Sequence, residues 1–196
     1  RIFGKSETLA PENAALKLGD ALIKAGKGSE AVEILSRAVA DQSENSAAID
    51  LLRQAIQTSE GKTSDKTVEM LQQAVFSNPS NLVLIELLSA AQMQTGKVED
   101  AVKTLQTSIQ NAGKSDKTSL ANLHVSLGDI YLQANRSDEA IKSYEQALAT
   151  FGIEKTLLNT EEERDFAATV FEKMIRAFKN AGKIAEAGAA IERARI

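Results

Sequence analysis

Residues 127–148 read LGDIYLQANRSDEAIKSYEQAL, and this stretch decides the fold. Small or apolar residues recur every three or four positions on both sides of a polar turn at Asn135. That spacing places them on one face of each of two helices. A turn this short lets the two helices pack side by side in opposite directions. The stretch therefore predicts an antiparallel helix pair.

The same pattern recurs along the chain, which predicts a repeat architecture. After each turn residue, a small side chain follows at the fifth position, a larger one at the ninth and a small one at the twelfth. The turn residues that share these offsets are Gly26, Gly96, Asn135 and Gly182, and a weaker copy follows a longer turn at 61–65. The first half of the pattern is clearest at Leu18-Gly19 and Leu127-Gly128. Successive turns lie 35, 35, 39 and 47 residues apart, and such periods are typical of stacked helix pairs.

The best copy resembles the tetratricopeptide repeat, whose first helix carries Leu-Gly and a Tyr and whose second helix carries Ala, a large residue and another Ala. The matching residues in the fourth copy are Leu127, Gly128, Tyr131, Ala140, Tyr144, Ala147 and Leu148. The resemblance covers residues 12–196 and implies an all-α, right-handed superhelical solenoid of antiparallel helix pairs. The repeats that it implies span 12–45, 46–81, 82–116, 117–155 and 156–196. Residues 1–11 are then a lead-in or the remnant of a preceding segment, and we expect the array to be part of a longer protein.

Two local features sharpen this prediction. The longer intervals add residues around 113–118 and 152–159, so we expect longer connecting loops or longer first helices there. Side chains that can accept hydrogen bonds from free backbone amides stand at the expected helix starts. These are Ser29, Asn81, Ser137 and Thr160, the last of which is followed by three glutamates.

Composition argues against several classes of function. A formal net charge of -4 and a pI of about 5.2 argue against a nucleic-acid-binding domain and against attraction to anionic membrane surfaces. The absence of cysteine excludes disulfides and thiolate metal sites. No apolar stretch is long enough to cross a bilayer, so we expect no direct membrane insertion.

The short motifs that could carry chemistry have simpler structural interpretations. Gly61-Lys62-Thr63 resembles the end of a phosphate-binding loop, but Ile56 stands where that loop needs its first glycine. His124, the single histidine, stands where the resemblance places an aromatic residue between the two helices of a repeat, so packing is its predicted role. The acidic run at 161–163 is more typical of a helix N-terminus than of a cation site. We therefore predict no catalytic residue, no metal and no cofactor.

The resemblance also implies where a ligand would lie, because the first helix of each tetratricopeptide repeat lines a concave groove. The residues at the groove positions are Asn13, Leu16, Asp20, Ile23, Asp50, Gln54, Val83, Glu86, Met93, Asn122, Val125, Asp129, Leu132 and Arg176. Acidic residues recur at these positions in four consecutive repeats, among apolar ones. The set of Lys, Asn and Arg with which some family members clamp a peptide carboxylate is missing from those repeats. We therefore expect a mildly basic, amphipathic partner segment rather than an acidic peptide terminus.

The leading functional prediction is a protein–protein interaction scaffold that is not an enzyme. One alternative is self-assembly into homo-oligomers, because repeat arrays can stack when a terminal face is uncapped, and small apolar residues fill 185–196. A second alternative is a helical accessory domain of an enzyme. The composition, rich in Ala and poor in aromatics, suggests a bacterial protein of the cytoplasm or periplasm.

Overall fold

The protein is built from helices. The computed structural model describes residues 11–42, 44–58, 63–111, 117–153 and 160–194, with side chains from Ala14 onward. The helices in these residues are α1 (Pro11–Lys24), α2 (Gly28–Asp41), α3 (Ser46–Thr58), α4 (Asp65–Ser77), α5 (Leu82–Gln94), α6 (Val98–Asn111), α7 (Lys117–Gln133), α8 (Ser137–Phe151), α9 (Glu161–Asn180) and α10 (Ile184–Arg193). No strand occurs in the described residues. The predicted all-α fold is therefore confirmed.

The chain divides into two compact units, Arg1–Gly96 and Lys97–Ile196. The N-terminal unit holds α1 to α5, and the C-terminal unit holds α6 to α10. The division falls within the third of the repeats predicted from the sequence.

In the N-terminal unit, consecutive helices share one apolar core. Helix α2 contacts α1, α3 and α4, and the first helices α1, α3 and α5 contact one another in order. The fully buried residues at the centre of this core include Leu35, Leu52, Leu71 and Leu84. Aliphatic side chains and alanines therefore hold the unit together, as the scarcity of aromatic residues predicts.

In the C-terminal unit, α7 lies against α8, α9 against both α8 and α10, and α6 against α7. Its core is centred on Leu105, Leu123, Tyr144 and Val170, which are fully buried. The residues at the small positions of the second helices, Ala101, Ala140 and Ala187, are also buried. Small side chains at these points let the two helices of a pair approach closely.

The tight turns follow the predicted residues. Gly26, Gly96 and Gly182 have φ angles of 72°, 77° and 73°, and Asn135 has a φ of 59°. After Asn135, the Arg136 amide donates a 2.8 Å hydrogen bond to the carbonyl of Tyr131. This left-handed ending satisfies the last carbonyls of a helix, and Gly or Asn adopts it at the lowest cost.

The long intervals appear as long first helices. Helix α7 has 17 residues and α9 has 20, whereas α1, α3 and α5 have 13 or 14. Thr160 caps α9 with a capping box, in which the Thr160 hydroxyl accepts from the Glu163 amide and the Glu163 carboxylate accepts from the Thr160 amide. Asn81 also caps its helix as predicted. The predicted caps at Ser29 and Ser137 are wrong, because α2 and α8 begin after Lys27 and Arg136 without a side-chain cap.

Candidate interaction groove

The C-terminal unit contains a groove at the place where α7, the end of α8 and the start of α9 meet. It encloses about 590 Å³. The lining residues are Asn122, Val125, Phe151, Glu161, Glu162, Asp165, Phe166, Thr169 and Val170. Asn122 and Val125 are two of the groove residues predicted from the sequence. We call this cavity the α7–α9 groove.

Apolar side chains form one part of the α7–α9 groove. The rings of Phe151 and Phe166 are stacked, with centroids 4.2 Å apart and planes 11° from parallel. Both rings are only half-buried, so part of each remains open to solvent. Val125 is half-buried and Val170 is fully buried in the same wall. A partly exposed aromatic pair of this kind offers apolar area to a ligand without first having to be ordered.

Carboxylates form the other part of the α7–α9 groove. Glu161, Glu162 and Asp165 are exposed on the first turns of α9 and make no ion pair with any described residue. The positive end of the helix dipole favours negatively charged side chains at this end of a helix. The α7–α9 groove thus combines an apolar wall with a negative rim that has no ion-pair partner among the described residues.

Asp129, another predicted groove residue, has a different environment. The Tyr144 hydroxyl donates a 2.7 Å hydrogen bond to its carboxylate, and the Lys173 ammonium lies 2.8 and 2.7 Å from its two oxygens. Burial and the nearby Asp129 carboxylate raise the pKa of the Tyr144 hydroxyl, which therefore stays a hydrogen-bond donor. Asp129 therefore joins α7, α8 and α9, and part of its charge is already balanced by Lys173.

Two acidic residues of the N-terminal unit also have basic neighbours on their own helices. The Asp20 carboxylate lies 2.6 Å from the Lys24 ammonium, and Asp50 lies 3.6 Å from Arg53. These pairs are exposed and contribute little to stability, but they reduce the net negative charge of the surface. Three of the four recurring acids, Asp20, Asp50 and Asp129, therefore each have a basic neighbour.

The other groove residues predicted from the sequence differ in solvent accessibility. Ile23 is 8% exposed and belongs to the core of the N-terminal unit, so its assignment to a ligand surface is wrong. The half-buried ones are Leu16, Val83, Glu86, Met93 and Leu132, and the exposed ones are Gln54 and Arg176. The side chain of Asn13 lies outside the described part of the chain.

His124 lies on α7 and is half-buried. Its Nδ1 atom is buried and has no hydrogen-bond partner among the described residues, and burial lowers the pKa of the imidazole. In the described ranges, no group of three or more His, Cys, Asp or Glu side chains is arranged to hold a metal ion. None of the described helices is both long and apolar enough to cross a membrane.

The sequence did not predict the aromatic wall, nor that the carboxylates of α9 would lie beside it. Phe151, Phe166 and the carboxylates all precede the part of α9 that matches the repeat pattern. The signal was the 47-residue interval between Asn135 and Gly182. That interval extends α9 at its N-terminus, and the added turns carry three of the carboxylates and Phe166.

Comparisons with known proteins agree with this architecture. Residues 82–151 match the family model of the tetratricopeptide repeat. No curated protein matches the chain. One similar solved structure is a putative kinesin light chain from Podosopora anserina with nearly identical tetratricopeptide-like repeats; it is 22% identical over 95% of each chain, with a TM-score of 0.64. MamA is 16% identical over 93% of this chain and 89% of its own, with a TM-score of 0.56.

A thermophilic tetratricopeptide-repeat protein of Thermus thermophilus is also similar. It is 21% identical over 93% of this chain and 89% of its own, with a TM-score of 0.55. At these identities the structural matches show the fold. Together with the family model, they confirm the predicted resemblance to tetratricopeptide repeats.

Proposed function

We propose that this tetratricopeptide-repeat chain is a protein-interaction scaffold whose α7–α9 groove binds a basic, amphipathic segment of a partner protein. A general scaffold role agrees with the repeat fold. The observation that carries the finer proposal is the pairing of an open Phe151–Phe166 stack with three carboxylates that have no described ion-pair partner.

The size of the α7–α9 groove suits side chains rather than a folded domain. A volume of about 590 Å³ lies in the range of sites that enclose small ligands or a few side chains. Apolar side chains of the partner would cover Phe151, Phe166 and Val125, and their burial would supply most of the affinity. Lysine or arginine residues beside them would meet Glu161, Glu162 and Asp165. Exposed charges of this kind set the orientation and association rate more than the affinity.

Site-specific crosslinking tests the proposal. A photo-crosslinking phenylalanine analogue replaces Thr169, which lines the α7–α9 groove and is exposed, and in a second variant it replaces Lys142, which is exposed on α8 outside the lining. Both positions tolerate a large side chain because neither is packed in the core. After illumination in an extract of cells that express the chain, the crosslinked peptides are sequenced by mass spectrometry.

The Thr169 variant is expected to capture recurring segments that carry apolar residues next to lysine or arginine. The Lys142 variant controls for proteins that merely collide with the surface. Equal capture by both variants, or capture at Thr169 of segments without basic residues, would contradict the proposed binding mode.

A further inference from the structure

One face of α9 carries charges of opposite sign at its two ends. The residues on this face follow one another at intervals of three or four positions; they are Glu162, Asp165, Thr169, Lys173 and Arg176. At about 3.6 residues per turn they lie within a sector of about 80°. The first three line the α7–α9 groove, and Lys173 and Arg176 lie about one and about two turns beyond it. The face therefore changes from negative to positive along the helix.

Helix α7 lies along this face. Its Asn122 and Val125 line the α7–α9 groove, and its Asp129 lies about one turn further on. The Lys173 ammonium of α9 lies 2.8 and 2.7 Å from the two carboxylate oxygens of Asp129. The two helices therefore run side by side in the same direction. A segment that lies along them and contacts the groove at one end meets Lys173 at the other.

The positive end holds more cations than carboxylates. Burial and the Asp129 carboxylate raise the pKa of the Tyr144 hydroxyl, and the charge of Arg176 opposes this rise, so Arg176 lies near the same cluster. Arg176 is exposed and makes no ion pair with any described residue. Asp129 thus stands between two cations, Lys173 and Arg176. A second carboxylate, supplied by a partner, would balance the remaining positive charge.

The neighbouring charges of α9 leave this excess unchanged. Glu172 and Lys179 are exposed on the adjoining side of the helix. They add one charge of each sign, so this end holds three cations and two carboxylates in total. Glu172 lies four residues before Arg176, but the two described side chains form no ion pair with each other.

Given the proposed function, we propose that the partner segment lies along α7 and α9 in one direction, set by its charges. Its basic residues lie over Glu162 and Asp165, its apolar residues over the Phe151–Phe166 stack, and an acidic side chain over Lys173 and Arg176. A segment with the opposite order of charges would place like charges together at both ends, and such contacts select against wrong partners and wrong orientations.

The structure also sets the spacing of the charges in that segment. Eight residues of helix separate Asp165 from Lys173, which corresponds to about 12 Å at ~1.5 Å per residue. An extended segment covers this distance with about four residues, and a helical one with about eight. The acid of the partner therefore follows its basic residue at one of these two intervals, always on the same side of the apolar residues.

A peptide-display selection tests this charge order. Random peptides of about twelve residues, long enough to cover ~12 Å even as a helix, are selected on the 196-residue chain. Constant polar flanks on both sides exclude a terminal carboxylate, so only a side chain can meet Lys173 and Arg176. The enriched peptides are expected to carry Lys or Arg, apolar residues and Asp or Glu in one fixed order. Replacing that acid by its amide should weaken binding about two- to fivefold, measured by fluorescence anisotropy.

A charge reversal shows which residue reads the acid. Arg176→Glu should replace the preference for Asp or Glu at that place by one for Lys or Arg and leave the rest of the pattern unchanged. Because Arg176 is exposed, the variant keeps its fold, which its circular dichroism spectrum checks. Lys142→Glu makes the same change of charge on α8, outside the groove, and should select the wild-type pattern.

The outcomes separate this charge order from the proposed function. Basic, apolar peptides whose acids occur on either side, or at no fixed interval, would overturn the charge order and leave the proposed function standing. An unchanged pattern with Arg176→Glu would do the same. No enrichment, or enrichment of peptides without basic residues, would contradict both.

Discussion

The Leu-Gly motif occurs in α1 as Leu18-Gly19 and in α7 as Leu127-Gly128, and its two residues behave differently. A Cβ on Gly19 would lie 2.6 Å from Leu35 Cδ2, and one on Gly128 would lie 2.5 Å from Tyr144 Cε1. Both glycines therefore let the second helix of their own pair approach closely. Leu127, in contrast, is 5% exposed and Leu18 is 50% exposed. The glycine thus has the same role in both helices, whereas the leucine is buried in α7 and half-exposed in α1.

This difference assigns distinct roles to the two regions. In α7 the whole motif belongs to the core, and the surface available to a partner lies further along, in the α7–α9 groove. In α1 the leucine itself lies on the surface, beside a cavity between α1 and α2. A repeat motif can thus mark a core position in one copy and a surface position in another.

Replacing Leu127 and Leu18 by alanine should give the largest difference in the free energy of unfolding. Leu127→Ala is expected to lower the free energy of unfolding by ~2–4 kcal/mol, because it removes buried methyl groups and leaves a cavity. Leu18→Ala is expected to cost less than ~1 kcal/mol, because half of that side chain is already in water. Urea denaturation followed by circular dichroism measures both. Similar costs for the two variants would mean that α1 is covered in solution.

Replacing the glycines by alanine should give the next largest change in the free energy of unfolding. Gly128→Ala should cost ~1–3 kcal/mol, because the rigid Tyr144 ring must move and its hydrogen bond to Asp129 is disturbed. Gly19→Ala should cost less, because the branched end of Leu35 can rotate away. Gly188→Ala is the matched control: its site is open, so the better helix propensity of alanine should stabilise α10 by ~0.5–1 kcal/mol. Thermal midpoints in any other order would contradict the assigned contacts.

A smaller difference between α1 and α7 concerns the pH dependence of the free energy of unfolding. Three residues before the leucine, α1 has Ala15 and α7 has His124. Because burial lowers the pKa of His124, the unfolded chain takes up a proton near pH 6.5 that the folded chain resists. Stability is unaffected above that pH and falls as the pH drops below it, until the folded histidine also titrates. From about pH 7.5 to about pH 5.5 the loss is at most about 1.4 kcal/mol.

Urea denaturation at the two pH values checks this effect in the wild type and in His124→Phe, which restores the aromatic residue of the repeat pattern. The variant should lose the pH dependence in this window. Carboxylates such as Glu33 and Asp138, whose pKa values are lowered by Lys66 and Lys183, affect stability only at lower pH. An equal pH response in the variant would mean that His124 is not the group responsible.

Much of the fold follows from the sequence because each copy of the pattern repeats the same local requirements. Gly26, Asn135 and Gly182 mark left-handed turns, and Ala140 marks a close helix contact, in sequence and structure alike. The long α7 and α9 follow from the wider spacing. The missing caps at Ser29 and Ser137 could not be foreseen, because Ser is a frequent cap but the helix starts two residues earlier than predicted at Ser29 and one residue earlier at Ser137.

The candidate site was less predictable, since its charges depend on contacts between helices. Nothing in the sequence says that Asp129 meets Lys173, which lies 44 positions away. Ile23 shows the opposite error: a groove position inferred from the repeat pattern turned inward. The carboxylates of α9 were visible in the sequence, but only the extended helix brings them beside Phe151 and Asn122.

The central claim is that the α7–α9 groove attracts basic segments of a partner. Its most direct test is the rate at which a partner segment identified by crosslinking associates with the chain. Stopped-flow measurements at about 20 mM and about 150 mM salt compare the wild type with Glu161→Gln/Glu162→Gln/Asp165→Asn, which keeps the capping residue Glu163. The account predicts an association rate about tenfold lower for this variant at low salt and a smaller difference at the higher salt concentration. The control Asp20→Asn/Asp50→Asn, whose carboxylates already pair with Lys24 and Arg53, should associate like the wild type. An unchanged rate in the triple variant, or an equal loss in the control, would contradict the account.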